Sequence, residues 1–201
     1  MRSQDRTSTA YSPADPEASA RAAWRRRVAY VGSDIQLAFA VLWIIRGTLA
    51  TGWPARLPIG LALGLAAVAV GVLGTIATRA LAPRPRGPAA HRLESAITAA
   101  TVVQLAASCA LPFLVSAAGR SDLTITTVAI TIGILLLWLG ARLRTAGHLT
   151  AGILLIAVPG ALALALTGNA LTAAAGLATA GILTAGAIVG FRALGTGRLH
   201  S

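Results

Sequence analysis

Residues 145–191 read TAGHLTAGILLIAVPGALALALTGNALTAAAGLATAGILTAGAIVGF and contain no Asp, Glu, Lys or Arg in 47 positions. A transmembrane helix needs about 20 apolar residues to cross a hydrocarbon core of roughly 30 Å. The run is therefore too long for one spanning helix and fits two. Its turn signal is Thr167-Gly168-Asn169, so we predict spans at about Gly147–Leu166 and Leu171–Phe191.

The preceding sequence repeats this pattern of long apolar runs. The residues between Arg56 and Arg79 are uncharged and predict a second span, Ser95–Gly119 predicts a third, and Leu123–Ala141 predicts a fourth. Ser121-Asp122 is typical of an N-cap for the fourth helix. The chain is expected to be all-α, a polytopic bundle of six transmembrane helices.

The first span has two possible registers. Val28–Ile45 would bury Asp34 and place Arg46 at the far membrane surface, whereas Ile35–Trp53 would bury Arg46. We favour the first register because Arg46 then reaches water.

The arginines indicate how the helices are oriented. The N-terminal tail, the 79–92 and 142–148 connections and the C-terminal tail hold 14 of the 17 arginines, and the alternate connections hold three. Cytoplasmic loops are enriched in Lys and Arg. We therefore expect both termini in the cytoplasm, with a disordered basic tail over residues 1–27, a six-helix transmembrane domain over 28–194 and a short tail over 195–201.

Composition narrows the class of protein. Hydrophobic residues make up 56% of the chain and charged residues 11%, well below the roughly 25% charged residues of soluble proteins. The net charge of +11 is explained by basic loops beside a lipid bilayer rather than by nucleic-acid binding. All the basic residues except histidine are Arg, with no Lys, and Ala and Gly are abundant, which favours a GC-rich bacterial genome. We therefore expect the cell (plasma) membrane of a bacterium as the location.

One face of the third span is polar along its length. Helical spacing places the following residues within one arc: Glu94, Thr98, Thr101, Gln104, Ser108, Pro112 and Ser116. Polar residues inside a membrane commonly face the bundle interior. Such a stripe could line a pathway for a small solute, or it could form hydrogen bonds to neighbouring helices.

Asp34 is the second candidate site. The first register places it about 9 Å inside the cytoplasmic boundary, where it could handle protons or form a shallow ion pair with Arg27. Asp34 and Glu94 both belong to cytoplasmic halves of their helices. They could share a site if the first and third helices touch.

Glycines mark two smooth helix faces, in the second span (Gly60, Gly64 and Gly71) and in the sixth (Gly186 and Gly190). Small residues at such spacing allow close approach of helix backbones. These faces could pack inside one bundle, or they could bind a second copy or a partner subunit.

Metal and nucleotide chemistry are not expected. The sequence has neither an HExxH motif nor a Walker loop, and its one cysteine is Cys109. We expect no metal or cofactor. Three functions remain open: transport of a small solute or proton, alone or as the membrane subunit of a transporter; a non-catalytic, stress-associated scaffold that contacts anionic lipid through residues such as Trp24–Arg27; and an enzyme that uses Asp34 and Glu94 on a lipid-soluble substrate.

Overall fold

The computed structural model describes residues 16–81 and 86–196. Six long helices account for almost all of them: α1 (Pro16–Ala50), α2 (Arg56–Thr78), α3 (Pro88–Ala117), α4 (Thr124–Leu143), α5 (Ala146–Ala165) and α6 (Gly168–Gly195). Short 3-10 turns, Arg79–Leu81 and Ser121–Leu123, follow α2 and precede α4. Each of the six is long and apolar enough to cross a membrane. The all-α class and the six predicted helices are confirmed for the described part of the chain.

The first helix begins earlier than the sequence suggested. Residues 16–27, which we assigned to the tail, continue α1 without a break. The charged residues of this segment suggested a solvent-exposed tail, but one side of it is buried. Trp24 is 8% exposed, and its indole Nε1 donates a hydrogen bond to the Ala90 carbonyl oxygen at 3.0 Å. Residues 1–15 and 197–201, the outer parts of the two predicted tails, lie outside the described residues.

The length of α1 accommodates both registers that the sequence allowed. At 1.5 Å per residue, its 35 residues extend about 52 Å, well beyond a hydrocarbon core of roughly 30 Å. Arg46 is exposed one turn before the helix ends. Asp34 is half-buried.

Helices α1 and α6 form the most extensive contact in the molecule, and α4 and α5 form the next. The α2 helix packs on α1 and, to a smaller extent, on α6, whereas α3 packs mainly on α4. Large apolar side chains of α2 and α3 remain exposed, among them Leu65 and Val103, each at 69%. The two helices therefore lie at the periphery of the bundle, with surfaces suited to lipid.

Glycines allow α1 and α6 to pack closely in an antiparallel arrangement. A Cβ on Gly176 would lie 3.0 Å from the Cα of Gly47, so these two backbones are nearly in contact. Near the other end of the pair, the Ser33 hydroxyl donates to the Ala187 carbonyl oxygen at 3.2 Å. This register places the start of α1 beside the end of α6.

The two ends of the bundle consequently differ in charge. We call the end that holds the start of α1, the end of α6 and the α2–α3 and α4–α5 connections the termini face, and the opposite end the connection face. Ten of the thirteen described arginines lie at the termini face, and Arg46, Arg56 and Arg120 lie towards the connection face. The fold thus places most of the described arginines at one end of the bundle, as predicted from the alternation of arginine-rich and arginine-poor connections along the sequence.

The turn between α5 and α6 is where the sequence placed it, but Asp122 has a different role from the one expected. Gly168 begins α6 with a positive φ of 59°, which glycine adopts without a Cβ clash. Its amide donates to the Asp122 carboxylate at 3.1 Å, and Arg120 donates to the same carboxylate at 3.2 Å. The structure shows no side-chain cap on α4, so Asp122 caps the neighbouring helix α6 instead of its own.

The glycines that could have bound a partner face neighbouring helices of the same chain. On α2, Gly60 faces Thr48 and Gly71 faces Leu37, both on α1. On α6, Gly186 faces Gln36 of α1. Gly64 and Gly190 also face α1, at Val41 and Ser33. Each of these glycines therefore contributes to packing within the bundle.

Candidate functional site

Two residues in the middle of the α3 polar stripe, Gln104 and Ser108, lie at the contact with α4. Gln104 Nε2 donates to the Ser108 hydroxyl at 2.8 Å, and that hydroxyl lies 3.0 Å from Thr131 Oγ1 on α4. The Thr131 hydroxyl also bonds back to the Val128 carbonyl at 2.8 Å. These residues form an interhelical hydrogen-bond chain, one of the two arrangements that the sequence allowed.

Residues of the stripe on both sides of this pair face outwards. Thr98, Thr101 and Ser116 are exposed, and the Thr101 hydroxyl donates to its own helix at the Ile97 carbonyl, 2.8 Å away. No residue in the most apolar 18-residue window of α3 is buried. Within the described chain, the stripe is divided between a helix contact and the outer surface of the bundle.

Glu94 lies near the start of α3, at the termini face. Its side chain is 29% exposed, and a carboxylate oxygen is 3.8 Å from His91 Nδ1 one turn earlier. The residue therefore belongs to a polar cluster at the end of the bundle.

Asp34 is paired across helices with a residue that the sequence analysis did not identify. Thr75 Oγ1 of α2 donates to Asp34 Oδ1 at 2.5 Å. The guanidinium carbon of Arg27 lies 5.7 Å from the centre of the Tyr30 ring. Thr75 follows Gly71 by one turn on the smooth face of α2, and this face packs on α1.

Asp34 and Thr75 form one end of a groove between α1 and α2 with a volume of about 330 Å³. The other lining residues are apolar or glycine: Leu37, Ala38, Val41, Ala67, Val68, Gly71, Val72 and Ile76. From Asp34 to Val41 the groove extends about 10 Å along α1 at 1.5 Å per residue. A carboxylate thus lies towards the termini face of an otherwise apolar groove that passes between two helices.

The two carboxylates lie at different depths in the bundle. The hydrogen bond from Trp24 to Ala90 places these residues at about the same level on α1 and α3. Counting along each helix at 1.5 Å per residue, Asp34 lies about 15 Å deeper than this level and Glu94 about 6 Å deeper. Asp34 bonds to α2, whereas Glu94 lies beside His91. The structure therefore gives them different neighbours.

Several buried polar groups were also missed by the sequence analysis. Among the described residues, Trp43 Nε1, Thr126 Oγ1 and Thr179 Oγ1 are buried without a hydrogen-bond partner. A buried polar atom with no partner costs about 1–3 kcal/mol. Trp43 and Thr179 lie at the same level of the α1–α6 contact, because Gly47 meets Gly176 one turn away.

The described residues contain no group of three or more His, Cys, Asp or Glu side chains placed to hold a metal ion. Comparison with known proteins found no matching family model, no matching curated protein and no matching solved structure. The candidate site is therefore defined by the geometry of this chain alone.

Proposed function

We propose that this chain is an integral protein of a bacterial plasma membrane, with both termini in the cytoplasm, that binds and moves a proton or a small cationic solute at Asp34. The observation that carries the proposal is the half-buried Asp34 carboxylate in the α1–α2 groove. The arginines at the termini face support the orientation, because basic residues concentrate on the cytoplasmic side.

The chemistry of the groove favours a positive partner. An ionised Asp at the centre of a membrane costs about 2.5–3.5 kcal/mol on insertion scales, and less near the surface. One hydrogen bond from Thr75 offsets part of this cost. Protonation or a bound cation would remove more of it, whereas an anion would be repelled by the same carboxylate. The apolar walls would accept the hydrocarbon part of such a solute.

The test uses the purified full-length protein in liposomes, with tetraphenylphosphonium as a hydrophobic cation and an internal pH dye. Asp34→Asn keeps the size of the side chain and its hydrogen bonding but removes the charge. We expect saturable binding of the cation to wild-type protein, at least tenfold weaker binding to Asp34→Asn, and loss of proton flux in that variant.

Asp122→Asn is the matched control, because Asp122 lies at the connection face and bonds to Arg120. It should bind the cation as the wild type does. If Asp34→Asn retains both binding and flux, or if the two variants lose them equally, the proposal is refuted.

A second candidate, membrane subunit of a larger transporter, is favoured by α3. Thr98 and Thr101 put hydroxyl groups on the outer surface of the least buried helix, and a partner helix could cover them. Cys109 is exposed on α3 and serves as a reporter. Oxidative crosslinking in native membranes should join Cys109 to a partner or to a second copy, and a chain that stays monomeric throughout would count against this candidate.

The scaffold and enzyme alternatives receive less support. Trp24 is buried and bonded to Ala90, so its indole is not available to insert into lipid. The enzyme would need Asp34 and Glu94 in one site, but their depths in the bundle differ by about 9 Å along the helix axes.

A further inference from the structure

A second cavity lies at the termini face, away from the Asp34 groove. Its volume is about 130 Å³ and its lining comes from three helices: Ala20 and Arg21 of α1, Ala89, Arg92 and Leu93 of α3, and Arg142 of α4. Three arginines that lie far apart in the sequence thus line one small cavity. From this convergence we infer that the cavity binds a phosphate group, either of an anionic lipid or of a soluble phosphate.

The charge of the cavity calls for an anion. Each guanidinium remains charged at any physiological pH, and bringing three together costs Coulomb energy unless a negative group lies among them. Glu94 follows Leu93 on α3 and supplies one negative charge close by, beside His91. Arg92 and Arg142 are exposed beside this cavity, so an anion can reach them from outside the bundle.

The backbone of α3 adds to this potential. Gly87 caps the helix and Pro88 begins it, so the amide of Ala89 belongs to the first turn, where helix N–H groups have no partner within the helix. Helix N-termini favour anions by about half an elementary charge. Ala89 lines the cavity, so the first turn of α3 borders it.

The cavity has room for a phosphate group, and contacts between helices lie next to it. A single water molecule needs only about 10–15 Å³ of such space, so four phosphate oxygens can be accommodated. The hydrogen bond from Trp24 to Ala90 joins α1 to α3 next to the cavity. Leu93 and Leu143, which directly follow Arg92 and Arg142 in the sequence, are buried. Arginine pairs with phosphate through two parallel hydrogen bonds.

The experiment measures binding of phosphatidylglycerol to the full-length protein by native mass spectrometry from a neutral detergent. Arg92→Gln and Arg142→Gln remove exposed arginines of the cavity, and Arg56→Gln removes an exposed arginine at the connection face. A basic residue near an anionic surface contributes about 1 kcal/mol, or about fivefold in affinity. We expect a loss of about fivefold in each cavity variant and about 25-fold in the double variant, with no loss in Arg56→Gln.

Competition identifies the source of the phosphate. Release of phosphatidylglycerol by millimolar inorganic phosphate would assign the site to the phosphate group itself, and retention would assign it to a lipid whose chains add affinity. Lys variants at the same two positions keep the charge and should bind better than the Gln variants, which remains measurable if a Gln variant folds poorly. Equal binding by wild type and the double Gln variant, or an equal loss in Arg56→Gln, would overturn the inference.

Discussion

Replacing Gly152 with Ala tests the close packing of α4 on α5. A Cβ at Gly152 would lie 2.7 Å from the Gly133 carbonyl oxygen and 2.9 Å from the Leu137 amide nitrogen. Ordinary van der Waals contact begins near 3.4 Å, so the shorter of these distances falls about 0.7 Å below it. Both atoms belong to the backbone of α4 and cannot move aside as a flexible side chain would. The two helices must separate to admit one methyl group.

The expected free-energy change combines a penalty and a gain. Overpacking a tight contact costs about 1–3 kcal/mol, whereas Ala is favoured over Gly in a helix by up to about 1 kcal/mol. We expect Gly152→Ala to lower the free energy of unfolding by about 1–2 kcal/mol. Gly160→Ala is the matched control on the same helix, because nothing lies within 4 Å of a Cβ there. That variant should be as stable as the wild type or up to about 1 kcal/mol more stable.

The measurement is reversible unfolding of both variants in mixed micelles of increasing dodecyl sulfate content, followed by circular dichroism. The outcome depends on which of the two variants has the lower free energy of unfolding. Equal or greater stability of Gly152→Ala relative to Gly160→Ala would show that α4 and α5 do not pack at this distance.

Three further substitutions test other contacts. Ser108→Ala should lower the free energy of unfolding by about 0.6 kcal/mol, the average for an interhelical hydrogen bond in a membrane, because its bond to Thr131 is lost; unchanged stability in the same micelle titration would contradict this. Thr179→Val should raise stability by about 1 kcal/mol, since the buried hydroxyl has no partner, and a lower midpoint would show that this hydroxyl is bonded. Asp122→Ala should speed hydrogen exchange at the Gly168 amide, which loses its acceptor, and an unchanged exchange rate would contradict the cap.

The apolar runs predicted the helices because a candidate membrane-spanning helix can be identified from its length and its apolar composition alone. The break between α5 and α6 was also readable, since Thr167-Gly168 is a local turn signal and Gly168 adopts a positive φ. The start of α1 was not readable. Charge density suggested a tail, while the burial of Trp24 depends on α3, which lies far away in the sequence.

The candidate site was predicted only in part. Asp34 stood out because a carboxylate in an apolar run is costly. Its partner Thr75 did not, because a single Thr on a glycine face is compatible with many neighbours. The stripe on α3 shows the same limit: helical spacing defines one face, but which residues face α4 and which face outwards depends on how two helices cross. The arrangement of helices around one another, rather than any local pattern, determines these contacts.

The pairing of α1 with α6 has a consequence for biogenesis. If the chain inserts into a bilayer as proposed, the ribosome delivers the first helix well before the last, so the backbone surface around Gly47 stays among lipids until translation is nearly complete. We expect a nascent chain with five inserted helices to be loosely assembled and exposed to membrane proteases. The sixth helix then completes the packing around α1. Nonsense mutations before residue 168 should therefore produce chains that are degraded rather than shortened proteins that persist.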